Sequence, residues 1–253
     1  MSCAMSGFLV LENALRTASV REEDTLTKKI WREVEHYYED LLVKPDPRFA
    51  RILATSRDAG LPAINVTPGQ GKFLQLLVRL QKAGRVLEIG TLGGYSTAWL
   101  AQGLPPDGLL ITIEIDPDYA ELAGANLSEF EFAGLIDIRV GDAIHSLKSL
   151  SESRVAPFDL IFLDADKTQY CEYLEWSLKL SHPGTLIVAD NIVREGEIIK
   201  EDSGDPKVQA VREFNRRVAG DSGLRATALQ TVGSKGYDGF CLIYVDAPDQ
   251  NMS

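Results

Sequence analysis

The chain has 253 residues, of which 45% are hydrophobic and 25% charged. That length buries a core large enough to need no disulfide or metal staple, and the composition excludes a disordered, collagen-like or coiled-coil chain. Aspartate and glutamate number 37 against 26 lysines and arginines, a formal net charge of -11. There is thus no basic footprint for nucleic acid or an anionic membrane, and the expected partner is a small molecule. The three cysteines, Cys3, Cys171 and Cys241, are scattered. An odd count without metal spacing argues against a disulfide framework and for a reducing, cytoplasmic setting. The weakly apolar stretch from Gly7 to Leu15 is interrupted by Glu12 and Asn13 and is too short to span a bilayer.

Residues 1–24 show little periodicity and read as a loosely held arm. A helix is expected over Thr25–Val43, with Ile30, Val34, Tyr37, Tyr38 and Leu41 near one side, until Pro45 and Pro47 stop it. A short helix follows over Arg48–Arg57, and Gly60-Leu61-Pro62 breaks the chain. Thr67 and Pro68 open a helix to about Ala83, with Phe73, Leu74, Leu77, Val78 and Leu80 as its buried side. From Arg85 short apolar runs alternate with helical stretches. The runs are Arg85–Ile89, Leu109–Ile115, Ile136–Val140, Phe158–Leu163 and Gly184–Ala189; the helices are Ser96–Gln102, Pro117–Phe132, Ala143–Leu150 and Thr168–Leu180. Strands apolar throughout and separated by helices specify a parallel sheet covered on both faces. A helix over Pro206–Val218 and strands over Leu224–Gln230 and Phe240–Val245, joined by the loop Gly233–Gly239, complete an antiparallel C-terminal hairpin. Residues 25–253 are expected to form one doubly wound α/β domain, with the helices of residues 25–60 packed on it over the cleft.

The segment Val86-Leu87-Glu88-Ile89-Gly90-Thr91-Leu92-Gly93-Gly94-Tyr95-Ser96 reads as strand, glycine turn, helix. Its spacing is Glu-x-Gly-x-x-Gly, so Glu88 replaces the first glycine of the dinucleotide fingerprint. A carboxylate there repels a pyrophosphate and suits a cationic ligand without phosphate, which S-adenosylmethionine is. The second strand ends Ile113-Glu114-Ile115-Asp116, where Glu114 would accept ribose hydroxyls, and Gly141-Asp142-Ala143 follows the third strand, where an adenine would lie.

The fourth strand ends Leu163-Asp164-Ala165-Asp166-Lys167 and the fifth Ala189-Asp190-Asn191. In a doubly wound sheet ligands bind outside the carboxyl ends of the strands, and strands four and five are expected to be neighbours. Asp164, Asp190 and Asn191 then form an all-oxygen site suited to magnesium, with manganese or calcium as substitutes. Lys167, three residues after Asp164, is the candidate general base, its pKa lowered by the cation beside it. Two rival functions share parts of this pattern: an NAD-dependent oxidoreductase and a non-catalytic S-adenosylmethionine-binding module.

The stretches NVTPGQGKFL, VLEIGTLGGYSTAWLA, ITIEIDPDYA, FDLIFLDADKTQY and GTLIVADNIVREG, with YDGF near the end, resemble the cation-dependent O-methyltransferases of the catechol and caffeoyl-coenzyme A type. The resemblance implies a seven-stranded class I methyltransferase fold, S-adenosylmethionine as donor and a homodimer. It places the donor's methionine end near Val66, Glu88, Gly90, Thr91 and Ser96, its ribose at Glu114 and its adenine near Ala143, with Asp166 close by. It assigns Asp164, Asp190 and Asn191 to the metal and Lys167 to proton abstraction. Val193-Arg194-Glu195 stands where plant enzymes usually carry a tryptophan, and Gly233–Gly239 differs from their proline-containing loop. These departures favour a free catechol, flavonoid or other vicinal diol over a coenzyme A thioester as the phenolic acceptor.

Overall fold

The structure is a computed structural model that describes residues 25–44, 46–153, 155 and 157–247. The expected arm at residues 1–24 and Cys3 lie outside the described residues. Helix α1 covers residues 25–42, followed by α2 (Pro47–Asp58) and α3 (Pro68–Leu80). Then come β1 (Arg85–Ile89), α4 (Tyr95–Ala101), β2 (Leu109–Glu114), α5 (Pro117–Leu127), β3 (Ile136–Val140), α6 (Ala143–Glu152), β4 (Phe158–Leu163), α7 (Tyr170–Lys179) and β5 (Ser181–Asp190). Helix α8 (Pro206–Gly220), β6 (Leu224–Gly233) and β7 (Gly236–Val245) close the chain.

The strands form one seven-stranded sheet in the order β3-β2-β1-β4-β5-β7-β6. β1 to β5 run parallel, and β7 pairs antiparallel with both β5 and β6. This is the expected doubly wound sheet with an antiparallel hairpin. Leu87, Ile89, Ile111 and Ile113 face a core with Leu147 of α6, Tyr170 of α7 and Phe214 of α8. Val86, Leu110, Leu160 and Phe162 face a second core with Ile52 of α2, Val78 of α3, Trp99 of α4 and Leu127 of α5. Alternate residues of one strand thus enter opposite cores, which is why these strands are apolar throughout.

The caps show why the helices begin where they do. Thr67 and Gln70 form a reciprocal capping box ahead of Pro68, and Asp116 accepts the backbone N–H groups of Asp118 and Tyr119 ahead of Pro117. Leu80, expected in the buried side of α3, is 79% exposed, because it shares the outward face with Leu76 while Leu77 and Val78 of the same turn face the core. β5 starts three residues before the expected Gly184. His182 N donates to Thr185 Oγ1, and Thr185 Oγ1 donates to the Phe158 carbonyl at 2.7 Å, so the side chain fills an irregular register with β4. The hairpin is tighter than the expected seven-residue loop: β6 and β7 pair as far as Gly233 and Gly236. Helix α1 rests beside α3 and this hairpin, with Glu35 Oε2 accepting from Ser234 N at 2.5 Å and Glu39 Oε1 from Gly69 N at 3.3 Å. Its apolar residues Ile30, Val34, Tyr37, Tyr38 and Leu41 remain exposed. No helix of the described residues is long and apolar enough to cross a membrane.

At the amino ends of the strands, away from the glycine turn, Asp159 ties β1, β4 and β5 together. Its Oδ2 accepts from Gly84 N and Arg85 N, both at 2.8 Å, and its Oδ1 pairs with His182 Nε2 at 2.9 Å. The Pro183 carbonyl at His182 Nδ1 and the Asp159 carboxylate raise the His182 pKa above its ordinary 6.5. A raised folded-state pKa contributes stability that is fully present below 6.5 and is lost as pH rises through the folded value. With His182 about one-third exposed, the contribution is about 1 kcal/mol or less. Urea unfolding should therefore show a loss of stability of this size between about pH 6 and 8 that His182→Gln abolishes. An unchanged slope in the variant would assign the effect elsewhere.

Candidate active site

A cleft of about 850 Å³ opens at the carboxyl ends of β1 to β4, within the roughly 300–1,000 Å³ typical of small-molecule sites. One wall is the turn after β1. Gly90 has φ 99° and Gly94 φ 86°, conformations that favour glycine. A methyl group at Gly90 would also overlap the Asp164 carbonyl oxygen, so only glycine lets β1 and β4 end side by side. Ile115, Tyr119, Gly141, Asp142 and Ala143 continue the wall, and the segment from Leu61 to Val66 with Ser56 and Arg57 of α2 closes it from above.

Of the expected donor residues, Val66, Gly90, Thr91, Ser96, Glu114, Ala143 and Asp166 line this cleft. Glu88 stands behind the wall. It is fully buried, and its carboxylate accepts from Ser96 Oγ at 2.6 Å, Thr97 Oγ1 at 2.5 Å and Thr112 Oγ1 at 2.7 Å. Burial pushes its pKa up to about 7 against the pull of those three hydroxyls. Glu114 is both wall and brace. Its Oε2 accepts from Thr91 N at 3.2 Å and Leu92 N at 2.7 Å, and its Oε1 from Asp116 N at 3.0 Å. Of about four lone-pair positions on a carboxylate, one is left for a ligand. Asp166 caps the 3₁₀ turn Lys167–Gln169 and accepts from both Thr168 N and Thr168 Oγ1.

Next to the cleft, β4 and β5 pair in parallel with Leu163 opposite Ala189, so Asp164 and Asp190 emerge at adjacent strand ends. Asp164 lines the cleft, whereas Asp190 is buried. Burial first, and the Asp164 charge second, raise the Asp190 carboxyl well above the ordinary carboxylate range. Asn191 follows in the left-handed region, φ 56°, with its N–H on Asp190 Oδ1 at 2.7 Å. Lys167 is 6% exposed and donates to Asp164 Oδ1 at 2.9 Å and to Tyr170 Oη at 2.7 Å. Burial disfavours the ammonium, but Tyr170, Asp164 and Asp190 outweigh it and hold the lysine above its ordinary value.

Tyr170 was not singled out by sequence. It is fully buried, and its hydroxyl, besides accepting from Lys167, faces the carbonyls of Leu163 at 2.8 Å and Asp190 at 3.0 Å. One phenol thus spans the ends of β4 and β5 and the lysine between them. Its sequence signals are its place at the end of the stretch FDLIFLDADKTQY and the three-residue step from Lys167, one turn of the following helix. Asn65, Tyr119 and Gln169, which lie within the resembling stretches but were given no role there, also line the cleft, as does Tyr173. Among the described residues there is no group of three or more His, Cys, Asp and Glu side chains that would hold a metal.

The sheet order and the cleft at its switch point define a class I methyltransferase. A profile of the O-methyltransferase family matches residues 46–244. A catechol O-methyltransferase from Niastella koreensis is 47% identical over 220 residues, 87% of this chain and 100% of that protein. A catechol O-methyltransferase from Mycobacterium tuberculosis is 45% identical over 213 residues, covering 84% and 95%. The crystal structure of a Bacillus cereus O-methyltransferase in complex with SAH superposes with a TM-score of 0.85 at 47% identity, covering 86% of this chain and 99% of that one. The chain belongs to the O-methyltransferase family and is an S-adenosylmethionine-dependent O-methyltransferase. Both rival functions, the NAD-dependent oxidoreductase and the non-catalytic module, fall with this assignment.

Removing the Tyr170 hydroxyl leaves two carbonyls and the lysine without their shared partner. Tyr170→Phe should cost about 1–3 kcal/mol in unfolding free energy and lower kcat by up to about 100-fold through misplacement of Lys167, as read by chemical denaturation and methyl-transfer kinetics. Wild-type values for both would remove Tyr170 from the site.

Proposed function

We propose that the enzyme transfers the methyl group of S-adenosylmethionine to one oxygen of a vicinal aromatic diol, such as a catechol or flavonoid, with a divalent cation held by Asp164, Asp190 and Asn191. The observation that carries this reading is the placement of two carboxylates at adjacent strand ends, one of them on the wall of the donor cleft, with the Lys167 ammonium 2.9 Å from Asp164. The donor set fits the group. Two carboxylates and an amide are hard oxygen ligands that favour magnesium, or manganese or calcium, over zinc, and the Asp164–Asp190 pair, served by one lysine, is left short of positive charge. A bound cation supplies a Lewis acid that lowers the pKa of a hydroxyl and orients two adjacent oxygens.

The protein's own groups do the rest. The turn from Gly90 to Ser96 holds the donor's methionine end, and Glu88 acts from behind through the Ser96 hydroxyl. Glu114 offers its remaining acceptor position to the ribose, and Ala143 its flank to the adenine. Lys167 Nζ is the group beside the acceptor that carries a proton. It becomes a base once it has shed its own, and the carboxylates that keep it protonated are the ones committed to the cation. Holding phenolate and sulfonium methyl in line supplies much of the acceleration.

A free diol rather than a coenzyme A ester is supported by the loop after Asn191. Arg194 is flanked by Glu195 and Glu197, a poor landing place for phosphates. The exposed apolar residues of α1, Leu26, Ile30, Tyr37 and Leu41 among them, support a homodimer that covers them. The free Cys171 and Cys241 support a cytoplasmic location.

With labelled donor, chelator should abolish turnover and magnesium or manganese restore it. Catechols should give higher kcat/KM than their coenzyme A esters, and a lone phenol should be poor. Full activity in chelator would end the cation reading; efficient methylation of a lone phenol would end the chelated-diol reading. Glu114→Gln, which keeps an acceptor for the turn but drops the charge, should weaken S-adenosylmethionine binding by about 1.5–3 kcal/mol in calorimetry. Unchanged affinity would take Glu114 out of the donor site.

A further inference from the structure

The backbone leaves the Asp190–Asn191 pair through conformations it would not hold alone. Asn191, Arg194 and Glu195 have φ of 56°, 55° and 54°, and Gly196 has 83°. Three of these four carry side chains, for which the left-handed region is sparsely populated and persists only where surrounding contacts impose it. The contacts come from the first residues of β7. Asp238 Oδ1 accepts from Val193 N at 2.9 Å, Arg194 N at 3.1 Å and Gly239 N at 2.9 Å. The Gly239 carbonyl accepts from Ile192 N at 3.0 Å. A side chain at Gly239 would overlap the Leu229 carbonyl and come within 2.8 Å of Val193 Cγ2, so the Val193 side chain packs directly on the hairpin at Gly239. The Tyr237 ring lies 3.5 Å from where a Cβ on Gly196 would be. The loop is thus gripped at Ile192, Val193, Arg194 and Gly196 by three consecutive residues, Tyr237, Asp238 and Gly239. Asp238 itself does not line the donor cleft.

We propose that Asp238 is a positioning residue for the cation site, fixing Asp190 and Asn191 from outside by holding the loop that follows them. Asp190 is anchored on its chain-preceding side by pairing with Phe240, and Asp238 supplies the anchor on the other. The inference rests on the cation reading above and adds a residue to it that touches neither cation nor substrate. Groups that orient metal ligands in this way typically change affinity by about 10–100-fold when lost.

The test is manganese binding to the full chain without acceptor, followed by electron paramagnetic resonance, with S-adenosylmethionine affinity measured on the same samples. Asp238→Ala should weaken manganese binding by about 10–100-fold and leave donor affinity within about twofold. Asp238→Asn, which retains an oxygen acceptor, should rescue most of it. If Asp238→Ala does not fold, the comparison is Asp238→Glu against Asp238→Asn. The extra methylene shifts the anchoring oxygen, so the Glu variant should bind manganese more weakly than the Asn variant. Wild-type manganese affinity in Asp238→Ala, an equal loss of donor affinity, or a Glu variant binding at least as well as the Asn variant each overturns the proposal. A wild-type protein that binds no manganese overturns the cation reading itself, and this inference with it.

Discussion

At Gly90 the end of β1 lies against the carbonyl of Asp164, closer than any side chain would permit. Everything functional follows from that contact. It brings the donor turn and the acidic strand end onto one surface, and the backbone bonds Asp164 N to Ile89 O and Gly90 N to Ile113 O, 2.9 and 3.0 Å, lock three strand ends in register. The glycine turn and the acidic strand end are adjacent because two backbones are, so their relative geometry is set by the sheet.

Behind this surface lies a layer of buried polar groups that hold the visible ones. Glu88 joins β1, β2 and α4 through three hydroxyls. Glu114 binds the glycine turn from β2, and Tyr170 joins β4, β5 and Lys167. A buried carboxylate costs desolvation unless its acceptors are filled, and each of these groups has its partners supplied by neighbouring elements. The residues on the cleft wall are therefore rigid before any ligand arrives.

The sequence was informative where chemistry is local. Strand runs, Pro-opened helices, the glycine turn and the acids at the ends of β4 and β5 are patterns over a few residues, and their alternation specifies a parallel sheet covered on both faces. It was silent where partners are remote. Tyr170, Asn65 and Tyr119 reach the site only through tertiary packing, and nothing in spacing tells a buried phenol of the core from one that holds a lysine. Glu88 illustrates the converse. Its replacement of a fingerprint glycine is visible, but its position behind the wall rather than on it depends on Ser96, Thr97 and Thr112 converging from two other elements. Leu80 and the residues of α1 carry helical periodicity yet stay exposed, since periodicity reports a face and not what covers it. The direction of the Lys167 shift depends on which neighbour sits at Nζ, a distance no pattern encodes.

The clasp at the other rim of the sheet has a different implication. Asp159 and His182 fasten the amino ends of β1, β4 and β5, and Thr185 fills the irregular register between β4 and β5. The strands' opposite ends carry the donor turn and the acid pair. The amino rim thus serves the fold alone, whereas the carboxyl rim holds the fold and carries the candidate site. That asymmetry leaves a reserve: stability added at the amino rim offsets the cost of new residues at the carboxyl rim without touching the candidate site.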